Sequence, residues 1–231
     1  MVTRGEAPTM RPTPEDLDDT GRFSLVEEVV HENLVPAVQA YLKRPSPVKA
    51  IYVLVNAVAF AVLAFLWVRS GVPFLDAFPN LAMGMCIGYL LLLPVHEAVH
   101  ALSYRWLGAK GTRIVYTLRN LTAYCVADRF VVNGREFVWV CLMPFLVLNT
   151  ILVGILVIVG GFQPLLWGML LLHIGACSGD FAFVNLAWAH RKDGLLTYDD
   201  VAGKRTLFYT PRPLEGGKVS GLFYRSGGDK Q

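Results

Sequence analysis

Residues 81–104 read LAMGMCIGYLLLLPVHEAVHALSY. A bilayer core is crossed by roughly 20 consecutive apolar residues in a helix, and this stretch is long enough and apolar enough to be one. It nonetheless carries His96, Glu97 and His100. An ionisable side chain at that depth costs roughly 2.5–3.5 kcal/mol on insertion scales, so such groups are rare and mark function. On a helix, residues four apart share a face about one turn apart. Two imidazoles so placed can bind one tetrahedral zinc, and Glu97 beside them can take a proton from an attacking water, the logic of H-E-x-x-H. The competing reading is a polar cluster that only packs helices.

Working outward, three more apolar runs are long enough to cross a membrane: residues 50–68, interrupted by Asn56, residues 137–159 and residues 165–189. Turn formers separate them at residues 70–79, with two prolines, and 160–164. Hydrophobic residues make up 54% of the chain and charged ones 17%, against about a quarter charged in soluble domains, which excludes an ordinary soluble enzyme. The expected fold is an all-α membrane protein of four transmembrane helices. Lys43, Arg44 and Lys49 precede the first span, Arg105, Lys110, Arg113, Arg119, Arg129 and Arg135 lie between the second and third, and Arg191 and Lys192 follow the fourth. By the positive-inside rule both termini and the central loop of this integral membrane chain are cytoplasmic.

The parts outside the spans divide into residues 1–48, a polar N-terminal segment, and residues 193–231, a polar C-terminal tail, around the four-span core of residues 49–192. Residues 1–22 are polar enough to be disordered, and no signal peptide is visible. Ser24 and Glu27 have capping-box spacing, and Val26, Val29, Val30 and Leu34 recur at helical intervals, which predicts an amphipathic helix over residues 24–42 with Pro36 kinking or dividing it. Between spans two and three, Ile114, Tyr116 and Leu118 alternate with Val115, Thr117 and Arg119. Val131 to Gly134 offers a hairpin turn, so a cytoplasmic β-hairpin-like insertion is expected. Asn120-Leu121-Thr122 matches a glycosylation acceptor by chance on that side. Leu207-Phe208-Tyr209 and Leu222-Phe223-Tyr224 read as short strands or docking segments. Cys86, Cys125, Cys141 and Cys177 form no CxxC pair and read as buried apolar side chains. The net charge of +3 is too small to specify a partner, and no nucleic-acid surface is expected. The oligomeric state stays open.

A catalytic zinc needs a third protein ligand and an open position. Asp180 is the outstanding candidate: it lies 15 residues into its span, as His96 does into its own, so parallel spans bring the two level. Zinc with ionised Glu97 and Asp180 sums to zero charge, which suits a low-dielectric site. A proton-relay or packing carboxylate is the alternative for Asp180. Gly175 and Gly179 would permit close helix approach. His173 reads as a hydrogen-bonded core histidine. Asn149 is a candidate substrate-binding residue or interhelical glue, and Asn56 and Asn185 read as packing residues. Pro94 loosens the helix before the motif or is a tolerated kink.

Four spans with HEAVH in the second and a Gly-Asp pair in a later one resemble the site-2-protease type of intramembrane metalloprotease, and are similar to the bacterial membrane proteins grouped as putative zincin peptidases. The resemblance covers about residues 50–190. It implies that His96, His100 and Asp180 bind zinc, that Glu97 is the general base, that a three-helix core carries the site, and that the substrate is a membrane protein or peptide cut within or beside the bilayer of a bacterial cell membrane. The order Ser178-Gly179-Asp180, Pro144 followed by Phe145, and the lack of a PDZ-like domain depart from that type. Two other function classes fit the same residues: a catalytically inert, zinc-stabilised membrane binding or assembly protein, and a transporter using the acidic and imidazole groups as an ion path.

Overall fold

A computed structural model describes residues 11–117 and 122–211. Four helical stretches are long and apolar enough to cross a membrane, as an integral membrane protein requires. The first, α3 (Pro47–Ser70), follows a short α1 (Pro14–Leu17) and α2 (Leu34–Lys43). Ser46 caps α3 by accepting from the Lys49 amide, Pro47 occupies its first turn, and Gly71 ends it at φ 66°, a left-handed backbone that glycine adopts without strain. The second, α4 (Phe74–Trp106), starts before residue 81 and runs through Pro79 and Pro94. The third is α5 (Gly134–Val159). The fourth run is two helices, α6 (Pro164–Ala176) and α7 (Ser178–Ala189), joined at Cys177, where ψ of 6° departs from helical geometry.

Their outer faces suit lipid. Leu54, Phe65, Leu90 and Ile158 are all exposed, which is stable only where the surroundings are themselves apolar. The α6–α7 stretch lies deepest, with Cys177, Ala182 and Leu186 fully buried. The tightest crossing is between α4 and α6. A Cβ on Gly84 would collide with the Leu165 carbonyl, and one on Gly168 with the Leu81 carbonyl. The close approach expected at Gly175 and Gly179 is therefore corrected: a Cβ at Gly175 meets nothing within 4 Å, and one at Gly179 only Val38 at 4.0 Å.

The fold is mostly helical and the strand insertion expected between the second and third spans is present, but at one end of the bundle strands also gather from three parts of the chain. Strands β1 (Ser24–Val30), β4 (Val132–Asn133), β5 (Leu196–Asp200) and β6 (Arg205–Thr210) form an antiparallel sheet in the order β1-β6-β5-β4, and β2 (Arg113–Thr117) pairs with β3 (Thr122–Val126) in a separate hairpin. The expected helix over residues 24–42 is in fact β1, one 3-10 turn (His31–Asn33) and α2. A bulge between Leu25 and Glu27 explains the misreading. It inserts one extra residue, so Phe23, Val26 and Val29 are buried at intervals of three, which mimics a helical period. Pro36 sits in the first turn of α2, where its missing amide costs nothing.

Other expectations are corrected too. Residues 11–22 are held in place: Leu17 is 1% exposed, and Arg11 pairs with Glu136 and donates to the Val131 carbonyl. Asn133-Gly134 is no hairpin turn. Asn133 caps α5 in a capping box with Glu136, while the Gly134 amide donates to the Leu195 carbonyl. Leu207-Phe208-Tyr209 lies within β6. Leu222-Phe223-Tyr224, residues 1–10 and residues 118–121, with most of the glycosylation match, lie outside the described residues. Val26, Val29 and Phe208 of the sheet join Phe137 of α5 and Phe181 of α7 in one apolar core, so the sheet is packed onto the site-bearing end of the helices.

Candidate metal centre

The site starts from α4. His96, Glu97 and His100 are 7%, 4% and 8% exposed, and their ligand atoms lie within 4.8 Å of one another. The first turn of α7 brings Asp180 to them. Asp180 Oδ2 is 3.1 Å from His96 Nε2, Asp180 Oδ1 is 3.1 Å from His100 Nε2, and the two Nε2 atoms are themselves 3.1 Å apart. Zinc bonds of about 2.0–2.1 Å in a tetrahedron set ligand atoms about 3.3 Å apart, close to this spacing. Asp180 Oδ2 is buried and takes no hydrogen bond despite its nearness to His96, and Glu97 Oε2 is a second buried oxygen without a partner. Orphaned anionic oxygens facing two imidazoles are costly unless a cation completes the set, so the residues present fit a divalent metal.

The rings are held from behind. His100 Nδ1 lies 3.0 Å from the Val140 carbonyl, which can only accept, so that Nε2 is left as a lone pair. His96 Nδ1 lies 3.2 Å from His173 Nε2, and His173 Nδ1 2.9 Å from Asn149 Oδ1. Asn149, a candidate for substrate binding or interhelical packing, is 8% exposed and turned onto His173 of α6. His173, Cys177 and His96 form a second group of converging donors that shares His96 with the first. Sequence reasoning had a signal for His173, the one histidine in the spans outside the motif, but spacing could not reveal its contact with His96.

A cavity of about 140 Å³ opens beside Glu97, His100 and Asp180 and runs between Tyr124 and Cys125 of β3 and His31. At roughly 30 Å³ per liquid water, it holds a few waters or one side chain. Strand β3 pairs only with β2 among the described residues, and its Cys125 amide is turned to the Glu97 carboxylate of α4. Thr206 and Asp199 form the far wall. Burial pushes the Asp199 carboxyl up to about 6 and the Cys125 thiol up to about 12, and lowers His31. His31, Asp199 and Thr206 escaped the sequence reading, because none sits in a recognisable motif. A larger, open depression on the opposite face of α4, of about 510 Å³ beside Ala98, Leu102 and Arg105, carries neither imidazole nor carboxylate.

One protein family resembles the part of the chain that carries this geometry. Residues 89–195 match the Putative zincin peptidase family. The match spans His96, Glu97, His100, Asn149, His173 and Asp180, and leaves out β1, β6 and the wall residues His31, Asp199 and Thr206. Similarity to that family over this stretch suggests a metallopeptidase and, with it, zinc. No curated protein and no solved structure matches the chain.

Proposed function

We propose that this protein is a zinc-dependent intramembrane endopeptidase of the site-2-protease type, cutting membrane-protein substrates near the cytoplasmic face of a bacterial cell membrane. In this reading His96, His100 and Asp180 hold the metal, Glu97 is the general base, and both termini are cytoplasmic. The observation that carries it is the mutual 3.1 Å approach of His96, His100 and Asp180 from two different spans. Basic residues crowd the loops at the end of the bundle that holds the site, which supports the orientation.

Bound zinc supplies Lewis acidity, activating water and polarising the scissile carbonyl. The chain's own residues do the rest. Glu97 takes the proton of the attacking water and returns it to the leaving amine; its partnerless Oε2, buried at the cavity, is available for that transfer. A transmembrane helix has its carbonyls bonded, so the substrate must unwind before attack. The edge of β3 away from β2, which lines the cavity, would offer the unwound stretch main-chain hydrogen bonds.

The test separates an enzyme from an inert zinc protein. Glu97→Gln is expected to keep zinc and abolish cleavage, so an uncut membrane protein accumulates when membrane proteomes of cells carrying wild-type and variant chains are compared. Unchanged proteomes in the variant, or a wild-type protein without stoichiometric zinc, would overturn the reading.

A further inference from the structure

We infer that His173 is a positioning residue of the metal centre: backed by Asn149, it decides which nitrogen of His96 carries the hydrogen, and thereby presents His96 Nε2 to the metal as a lone pair. The inference rests on the metal site proposed above.

A neutral imidazole carries one hydrogen on one of two nitrogens. For His100 a carbonyl settles the choice, because the Val140 oxygen only accepts. For His96 the neighbour is another imidazole, which can play either part, so the choice is settled one residue further back. Asn149 presents Oδ1, an acceptor, 2.9 Å from His173 Nδ1. That nitrogen therefore carries the hydrogen, and His173 Nε2 is left to accept. The nitrogen facing it, His96 Nδ1 at 3.2 Å, must then donate, and His96 Nε2 is free on the side where Asp180 and His100 converge. All three side chains are under 9% exposed, so water cannot easily substitute for a missing link. The chain runs across three helices, Asn149 on α5, His173 on α6 and His96 on α4.

The same polarity decides between the two donor groups that share His96. A metal held by His96, His173 and Cys177 would need lone pairs from both His96 Nδ1 and His173 Nε2, and these two atoms already share a hydrogen. Cys177 Sγ stands 4.0 Å from His173 Nε2 and takes no part in the metal centre.

The experiment is a zinc competition titration of the purified full chain against a chelator, with the thermal midpoint of the metal-free protein recorded for each variant. Loss of such an outer partner weakens metal binding about 10–100-fold, the fall expected for His173→Leu. His173→Gln, whose amide oxygen can accept from His96 Nδ1, should stay within about threefold of wild type. Asn149→Leu should weaken binding in the wild-type background and add nothing to His173→Leu, because Asn149 acts only through His173. Cys177→Ser should leave affinity unchanged. Should His173→Leu fail to fold, the Asn149→Leu/His173→Leu double variant, which does not leave the Asn149 amide orphaned, carries the same expectation. Wild-type protein without stoichiometric zinc would overturn the metal site itself. Stoichiometric wild-type zinc with Leu variants still within about twofold, against the factor expected for such a partner, would overturn the role of His173 alone, and zinc lost in Cys177→Ser would move the metal to the other group.

Discussion

Replacing Asp199 by Asn should change how the stability of this protein depends on pH. Asp199 sits on β5, 6% exposed, accepting from the Ala127 amide at 3.0 Å and from Thr206 Oγ1 at 2.7 Å. Burial, helped by the nearby Asp128 charge, pushes its carboxyl from an ordinary value of 3.8 up to about 6 against the pull of those two hydrogen bonds. A carboxyl raised in the folded state holds its proton more tightly there than in the unfolded chain. Its stabilising contribution is fully present below pH ~4 and is lost as pH rises through ~6. Two pKa units at about 1.4 kcal/mol each make the loss roughly 3 kcal/mol. Asparagine does not titrate, and it can keep both partners: its oxygen accepts from Ala127 while its amide donates to a Thr206 hydroxyl that has turned. The stability of Asp199→Asn relative to wild type should therefore grow by up to roughly 3 kcal/mol between pH 4 and pH 7, about 6–12 °C in thermal midpoint for a chain of this size. Thermal unfolding of both metal-free proteins in detergent at several pH values measures that difference and cancels groups common to both. A difference that stays flat with pH would refute the assignment of this cost to the buried carboxylate.

Two further outcomes follow from packing and linkage. Gly168→Ala drives a methyl into the Leu81 carbonyl and to 3.0 Å from the Met85 amide, backbone that no rotamer change can relieve. It should cost about 1–3 kcal/mol, whereas Gly154→Ala, with nothing within 4 Å of its new methyl, should gain about 0.5–1 kcal/mol; opposite shifts in thermal midpoint check the pair. Stripping zinc with a chelator should destabilise the wild type by about 4 kcal/mol when zinc had stood ~1,000-fold above its dissociation constant, and should leave His96→Ala unaffected in the same melt.

The spans were legible because lipid imposes one simple demand, a long apolar helix, and the motif stood out against that background. Asp180 stood out as the one carboxylate of the fourth span, and its depth placed it level with His96. The sheet was hidden for particular reasons. The bulge at Val26 disguised β1 as a helix, β4 is two residues long, and its partners lie more than sixty residues away in sequence. Asn133 invited a turn because Asn-Gly serves hairpins and helix caps alike, and only the Glu136 carboxylate returning to its amide decided between them. The contact of His173 with His96 could not be read from α6 alone, because it depends on how closely α6 crosses α4, and Gly84 and Gly168 set that distance in three dimensions.

The order of strands in the larger sheet has a consequence for biogenesis. Among the described residues strand β1 pairs only with β6, whose residues are made roughly 180 positions later, after all four spans have been synthesised. At roughly 5–20 residues per second, β1 waits for its partner for some ten to thirty-five seconds, and so does the cavity wall built from His31 on one side and Asp199 and Thr206 on the other. The wall of the cavity beside His100 and Asp180 is thus completed only by the last strand to be made.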